Sequence, residues 1–517
     1  MRKIILLSLG VLFIAPFVLQ AQKKDNDEKI RISLQQRVPS KLATGATVMV
    51  GDIQEWATNQ TAIIICDMWD WHWCKESEGR VAEMAPYMNE VVKTAREKGV
   101  FVVHAPSDVM DFYKGHKGRK MAMKYKKGRA NGMVNDELLD TEKGATWPID
   151  QSDGGCDCGT DCKQEYLWKR QIETIEIFDG DAISDSGVEI GNMFYEKGIK
   201  NVILMGVHTN MCVINRSFGL RNMVRLGMNV ALMRDLTDTM YNPERWPQVD
   251  HFTGNSLIAG YIEKYVCPTM VSTDLTGKPQ YRFEGDKRPL VAMVMAESEY
   301  RSNQRLPELA RELMLNHGVN CEFAIGKAEK EGEGRHNIEN LQILNDADMM
   351  LVSVRRRALP PHQMEWIKGF VAAEKPVLGI RTASHAFDAK KEIDGLAQWP
   401  EFDQAVLGGN YHNHYGDTPE GTEISVVPGM ENHPLLREFI GFNSPGSLYK
   451  NAPLGSDRVQ VLLTGHIAGY PAEPVLWLNN TEKNKVVCTS LGHWDDWENE
   501  GFRRLMVNAV KYLLDTP

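Results

Sequence analysis

The sequence predicts an α/β protein built as two three-layer α/β/α domains with mainly parallel sheets, and three observations carry that prediction. Short apolar runs of strand length recur along the chain and end in polar residues. Between them lie segments with apolar residues at helical spacing, several closed by glycine. The alternation runs twice, separated by a polar stretch. Strands alternating with helices favour a parallel sheet, because each crossover lays a helix on one of its faces. A chain of 517 residues is long enough for two or more cores of ordinary size.

The elements follow in order. Arg2 and Lys3 precede an apolar run from Ile4 to Leu19, with a small residue, Ala21, where a signal peptidase would cut. Residues 1–21 therefore read as a secretory signal, and export to the periplasm or the extracellular space is expected. The run is shorter than the ~20 apolar residues a spanning helix needs, so no stable membrane insertion is expected after cleavage. No Cys follows the cut, which removes support for a lipid anchor. Residues 22–45 are polar.

Thr61 to Ile65 predicts a buried strand, Val81 to Lys98 a helix stopped by Gly99, and Val100 to His104 the next strand. Val188 to Lys197 predicts a helix, Asn201 to Val207 a strand, Ser217 to Leu226 a helix and Asn229 to Met233 a strand. The stretch from Ser272 to Arg288 has no periodicity and places a linker over 274–288. A second series then predicts strands at Leu290 to Met295, Asp348 to Val354 and Pro376 to Ile380. Its helices are expected at Leu306 to His317, Pro361 to Ala373 and Gly501 to Leu514. The segment from Lys114 to Arg129 holds eight Lys and Arg, which reads as a solvated face or lid, with an anion clamp as the alternative.

A formal net charge of −10 repels polyanions, so nucleic acid is not an expected partner. Nine cysteines form an odd set, leaving at least one thiol unpaired within the chain. Cys156, Cys158 and Cys162 crowd the segment GGCDCGTDCK. Disulfides within this loop or to Cys74 compete there with a zinc knuckle, for which the loop supplies three of the four sulfurs required.

Open parallel sheets bind ligands beyond the carboxyl ends of their strands. Strand one ends in Asp67, with Asp70 and His72 close behind; strand two ends in His104; and Asn201 to Val207 runs into GVHTNMCV. Cys212 is thus expected at a helix start, where the dipole and free N–H groups favour thiolate. It is a candidate nucleophile, and Asp67 a candidate acceptor of its proton. The alternative for Cys212 alone is a small buried hydrophobe.

Asp67 in IIICDMWD, and Cys212 in NVILMGVHTNMCVINRSFGLRNMVRLGMNVALMRD, resemble the signatures of the isochorismatase-like cysteine hydrolases, which include nicotinamidases and N-carbamoyl amidases. The resemblance covers residues 43–273. It implies a Rossmann-type sheet, an Asp, Lys and Cys triad, a cis peptide before His208, and an oxyanion hole formed by the N–H groups of His208 and Cys212. Isochorismatase proper lacks the Cys, so Cys212 favours hydrolysis of an amide or carbamoyl C–N bond through a thioester. The triad Lys is expected in the strand-like segment YLWKRQIETIEI. Neighbouring strand residues face opposite ways, so either Lys169 or Arg170 points inward; Lys169 is taken as the triad member and Arg170 as substrate-lining. Asp70, His72 and His104 are expected to line the substrate. They match in type, and not in position, the divalent-metal ligands of nicotinamidases; zinc or iron is the candidate ion, with hydrogen bonds to substrate as the alternative.

Residues 289–517 resemble the ThuA-like group, named for trehalose utilisation, within the class I glutamine amidotransferase-like fold. The resemblance rests on PVLGIRTASHAF, NHPLL, EPVLW and TSLGHWDDWENEGFRRLMVNAVKYLL. Where amidotransferases carry a nucleophilic Cys, this chain has Arg381, Thr382, Ala383, Ser384 and His385. Ser384 lacks a G-x-S-x-G elbow. His385, His412, His414, His466 and His493 are candidates for a shared site on a sugar or a metal. A small amide for the first domain and a carbohydrate for the second are the expected ligands, and homo-oligomerisation stays open. The alternative function is a sugar-binding or carbohydrate-processing protein with an inactive first domain.

Overall fold

The structure is a computed structural model that describes residues 28–159, 162–327, 332, 334–416, 418–455, 458–480 and 485–515. The expected signal, 1–21, lies outside the described residues. Among these residues no helix is long and apolar enough to cross a membrane.

The chain is α/β, with two large sheets whose central strands are parallel. The first sheet comprises β1 (Lys29–Pro39), β2 (Thr47–Ala57), β3 (Thr61–Cys66), β4 (Phe101–Ala105), β5 (Ala182–Ile183), β6 (Asn201–Val207), β7 (Asn229–Asp238) and β8 (Thr269–Met270). Their order is β2-β1-β8-β7-β6-β3-β4-β5, and all pairs from β8 to β5 are parallel. The period-2 rule shows directly in β3. Ile63 and Ile65 enter the core under α1 (Lys75–Glu97), while Ala62, Ile64 and Cys66 face the core on the other side. That second face is covered by α3 (Gly187–Lys197), α4 (Leu220–Arg225) and α5 (His251–Tyr265), following the short α2 (Lys117–Ala122).

The polar stretch before residue 46 holds a strand. β1 pairs antiparallel with β2 along its whole length, with Ile30, Ile32 and Leu34 buried, and it docks on β8 through Gln35 and Thr269. Alternating Ile30-x-Ile32-x-Leu34 is a half-buried strand pattern that the surrounding charges masked. The basic segment after Lys114 is tied down in part, Lys117 to Asp179 at 3.0 Å and Arg119 to Glu189.

After α6 (Thr273–Thr276) the second sheet begins, with β9 (Leu290–Ala296), β10 (Asn320–Gly326), β11 (Ile338–Glu339), β12 (Met349–Val354) and β13 (Val377–Ile380). The order is β11-β10-β9-β12-β13, continued by Val486–Thr489, Glu473–Asn479, Val459–His466, Thr422–Val426 and Asn443–Ser444. The five strands from β10 to Val486–Thr489 are parallel, and the rest are antiparallel. Helices α7 (Ser302–His317) and α9 (Glu500–Leu513) cover one face and α8 (Pro361–Ala372) the other.

The β1–β2 hairpin joins the halves. Met49 is buried in the second domain's core, Ser33 Oγ donates to Glu339 at 2.9 Å, and Arg234 pairs with Glu322 at 2.9 Å. Asp274 lies in this seam, accepting the Ser33 N–H at 2.8 Å. Burial pushes its carboxyl up to about 7, with Glu339 and Asp235 adding repulsion, although the Ser33 N–H and Arg234 favour the charged form. A carboxyl raised in the folded state favours folding while protonated, so this stability is full below the ordinary value of 3.8 and is lost as pH rises towards about 7. Asp274→Asn keeps the acceptor and removes the charge. It should raise Tm at pH 8 by roughly 2–4 °C and leave pH 4 unchanged, as read by calorimetry.

Candidate active site

The parallel strands β3, β4 and β6 deliver their carboxyl ends to one place. Asp67 follows β3 directly, is fully buried, and takes a left-handed backbone with φ of 46°. Its Oδ1 accepts the Ser107 N–H at 2.7 Å, from the turn after β4. Its Oδ2 accepts Nε–H of Arg216 at 3.0 Å, and the Cys212 thiol hydrogen-bonds to the same carboxylate. Beneath the group, Gly206 has φ of 110°, and a Cβ there would lie 2.1 Å from the Cys66 carbonyl oxygen, so only glycine lets β6 approach β3 this closely.

The peptide between Val207 and His208 is cis, as the resemblance implies. The chain then makes one wide turn, Thr209–Val213, in which the Val213 N–H reaches back to the His208 carbonyl at 3.1 Å. The His208 N–H faces the Cys212 sulfur, and the His208 ring meets Ser77 Oγ at 2.6 Å.

Cys212 is therefore not at the start of a long helix. The next helix, α4, has six residues and begins only at Leu220, so the expected dipole support for a resting thiolate is missing. Burial pushes the Cys212 thiol up, the Asp67 charge pushes it further, and Arg216 opposes both. Asp67 is itself raised by burial, against Arg216 and the thiol hydrogen bond. At rest the sulfur holds its proton, pointed at a carboxylate whose basicity is enhanced.

The basic residue differs from the expected one. YLWKRQIETIEI is not a strand; only an isolated bridge pairs Gln171 with Trp69. Lys169 is exposed and its main-chain N–H donates to Asp70 Oδ1 at 3.0 Å, while Arg170 pairs with Glu173. Neither meets Asp67 or Cys212. Arg216 takes that place because it lies four residues past Cys212, one turn further along the same segment, and it also reaches Asp108 at 3.3 Å.

The cleft above Cys212 has a volume of about 560 Å³. Its aromatic wall stacks Trp69 on Trp168 at 4.2 Å, with His72 parallel to Trp168 at 6.0 Å and Tyr166 edge-on at 5.1 Å. His72 lines the cleft as expected; burial lowers its imidazole to about 4 and keeps it neutral. Asp70 and His104 do not line it. Asp70 caps the Lys169 and Arg170 amides, and buried His104 spends both nitrogens, on Gln171 at 2.9 Å and Asp181 at 3.1 Å. Among the described residues these three groups form no metal-ligand cluster, so the nicotinamidase-type metal does not fit them. Trp168, Tyr166 and Arg216 escaped sequence reading, although the Cys212-to-Arg216 spacing was a usable signal.

The second sheet carries its own cleft, about 440 Å³, at the carboxyl ends of β12 and β13. His385, His414 and His493 line it, whereas His412 and His466 are exposed elsewhere. Buried Arg381 lies over Tyr300 at 4.4 Å and Tyr449 at 4.7 Å, donating to the Ser490 carbonyl at 2.7 Å. Ser384 Oγ lies 3.0 Å from His385 Nδ1 and 3.2 Å from the Arg381 carbonyl, outside the cleft lining.

No protein-family model matches the sequence, and no curated protein matches it. Solved structures give partial alignments. A protein described as ThuA-like from Parabacteroides merdae ATCC 43184 aligns over 44% of this chain and 90% of its own, at 12% identity and a TM-score of 0.34. A cysteine hydrolase from Pseudomonas syringae pv. phaseolicola 1448A aligns over 42% and 91%, at 15% identity and a TM-score of 0.26. An isochorismatase family protein from Burkholderia thailandensis aligns over 42% and 95%, at 11% identity and a TM-score of 0.25. The functional reading rests on the geometry above.

Alkylation rates of Cys212, followed by peptide mass spectrometry, test the electrostatics. Iodoacetamide should modify the wild-type thiol slowly at pH 8 and faster as pH rises. Asp67→Asn removes a charge that raises the thiol and should speed the pH 8 reaction about tenfold, one pKa unit, even though it removes the proposed base. A slower or unchanged rate would contradict the assignment of Asp67 as the neighbour that holds the proton on sulfur.

Proposed function

We propose that the first domain is a cysteine hydrolase that cleaves the C–N bond of a small amide or carbamoyl compound. The observation that supports it is the Cys212 thiol hydrogen-bonded to buried Asp67 at the floor of an aromatic cleft of small-molecule size. As sulfur attacks the carbonyl carbon, its proton moves to Asp67, so thiolate forms only when the C–S bond does. Charge on the carbonyl oxygen falls beside the His208 and Cys212 N–H groups, donors that act on the tetrahedral state. Asp67 passes its proton to the departing nitrogen as the C–N bond breaks. Water then attacks the thioester, gives a proton back through Asp67 to sulfur, and the acid leaves.

Arg216 cannot exchange protons near neutrality. Its role is to orient Asp67 and limit the rise of its pKa, and its exposed edge offers an anionic substrate group a partner. The planar rings of Trp69 and Trp168 suit a flat substrate. Export through residues 1–21 remains part of this reading, with the small amide reaching the enzyme outside the cytoplasm.

A panel of small amides and ureas, screened by intact mass, should give an acyl adduct on Cys212 and an acid product. Cys212→Ala should abolish both while the fold persists. Asp67→Asn should lower kcat/KM by about 10²–10⁴-fold, the range for losing a positioned acid–base group. Lys169→Ala should stay within about twofold of wild type, since its side chain meets neither catalytic group. Full loss in Lys169→Ala would restore the expected triad and remove Arg216 from its role.

A second reading is favoured by Arg381 clasped between Tyr300 and Tyr449: a ThuA-like second domain that binds or processes a carbohydrate, ring faces against tyrosine and hydroxyls on the guanidinium and imidazoles. Saccharide binding by the full chain, lost in Arg381→Met and retained in Cys212→Ala, would support it.

A further inference from the structure

Three of the nine cysteines meet at one point, beside the cleft but outside its chemistry, and a fourth, Cys162, follows on the same loop. The sulfurs of Cys74, Cys156 and Cys158 all lie within 4.8 Å of one another, and Cys74 Sγ is 3.6 Å from Cys158 Sγ. Cys162 interacts with Cys156 and Cys158 but lies outside that 4.8 Å group. All four are free thiols. The loop alone offers three sulfurs; the fold supplies the fourth, because Cys74 is the N-cap residue of α1 and the loop lies across that helix end.

We propose that Cys74, Cys156, Cys158 and Cys162 bind one zinc ion as a structural tetrathiolate that clips the cleft wall onto the start of α1. With Zn–S near 2.3 Å, the edge of a ZnS₄ tetrahedron is about 3.8 Å; the 3.6 Å between Cys74 and Cys158 is close to that edge, and Cys162 closes on the other three as the fourth ligand. Main-chain donors already face the sulfurs, Glu76 N–H to Cys158 at 3.4 Å, Ser77 N–H to Cys74 and Cys158 N–H to Cys156. Such N–H···S contacts orient thiolate ligands and spread their charge. The Cys74 thiol donates a hydrogen bond to Asp157 Oδ1 at 3.6 Å. Zinc binding releases four protons to solvent, with no change of oxidation state, and leaves a dianionic centre near Arg80, which pairs with Asp157 at 2.8 Å.

The structural consequence follows from connectivity. Gly154, Gln164, Tyr166 and Trp168 line the cleft and lie on the segment that carries three of the ligands. Gly155 also packs so closely on Met240 that a Cβ would come within 2.3 Å of its carbonyl oxygen. The clip therefore fixes a wall that would otherwise be a loop with little secondary structure. The inference is independent of the hydrolytic reading, since neither Cys212 nor Asp67 takes part.

The test uses the full chain purified without chelator. Elemental analysis should give one zinc per chain, X-ray absorption should show four sulfur neighbours at about 2.3 Å, and intact mass should show no disulfide. Cys158→Ser and Cys162→Ser should each lose most of the zinc, whereas Cys212→Ala should retain it. Should a Cys variant fail to fold, the wild-type absorption spectrum and mass decide alone. A wild-type mass lower by about 2 or 4 Da with no zinc, or a metal shell of nitrogen and oxygen, would overturn the proposal.

Discussion

The ion pair between Asp67 and Arg216 is the constraint on which the first domain's chemistry depends. A fully buried carboxylate without a partner would neutralise itself, and a neutral Asp67 could not accept a proton from sulfur. Arg216 keeps the charge in place from one side, and the Ser107 N–H fixes the other oxygen. The pair need not stabilise the fold, because desolvating both ions offsets much of their attraction. What it secures is a carboxylate whose rise by burial is opposed by Arg216, facing a thiol raised by the same burial. In the reaction proposed above, each group hands over one proton within the pocket, with no free thiolate exposed to the surroundings.

This arrangement explains why an arginine can stand where the resemblance implies a lysine. If the cation's task is to hold Asp67, a guanidinium that keeps its proton does it through Nε while its fork reaches Asp108. The segment expected to supply Lys169 gives the cleft Trp168 and Tyr166 instead.

Asp67 and Cys212 were legible because a polar residue directly after a buried apolar run marks a strand end, and β3 and β6 are such runs. His208 and its cis peptide followed from the resemblance alone. Lys169 and Arg170 misled because YLWKRQIETIEI has the alternation of a strand without a ladder to join; Trp69 occupies the edge position and leaves a single bridge at Gln171. His104 looked like a cleft residue because it ends β4, but the side chain turns to Asp181 and Gln171 on the sheet's outer edge. The helix expected near Cys212 is a single wide helical turn, Thr209–Val213, and the next begins at Leu220, so burial and Asp67 dominate the thiol. The meeting of Cys74 with a loop more than eighty residues away was open to sequence reading only because the odd, crowded cysteines asked for a partner; no local pattern gives such a convergence for Trp168 and Trp69.

The two sheets obey one rule of placement and differ in what they place there. Both clefts open beyond the carboxyl ends of parallel strands, where loops can converge without breaking a ladder. In the first, the strand ends deliver an acid and a thiol within hydrogen-bond contact, and bond-making chemistry becomes available. In the second, they deliver Arg381 and three imidazoles among tyrosine rings, while Cys488 is buried inside its strand and Ser384 turns to its own turn. Among the described residues lining that cleft, no thiol stands beside a carboxylate. In the second reading proposed above, that surface would bind a carbohydrate by shape, stacking and charge. The hairpin carries Met49 into the second core, so packing is continuous from the first sheet to the second.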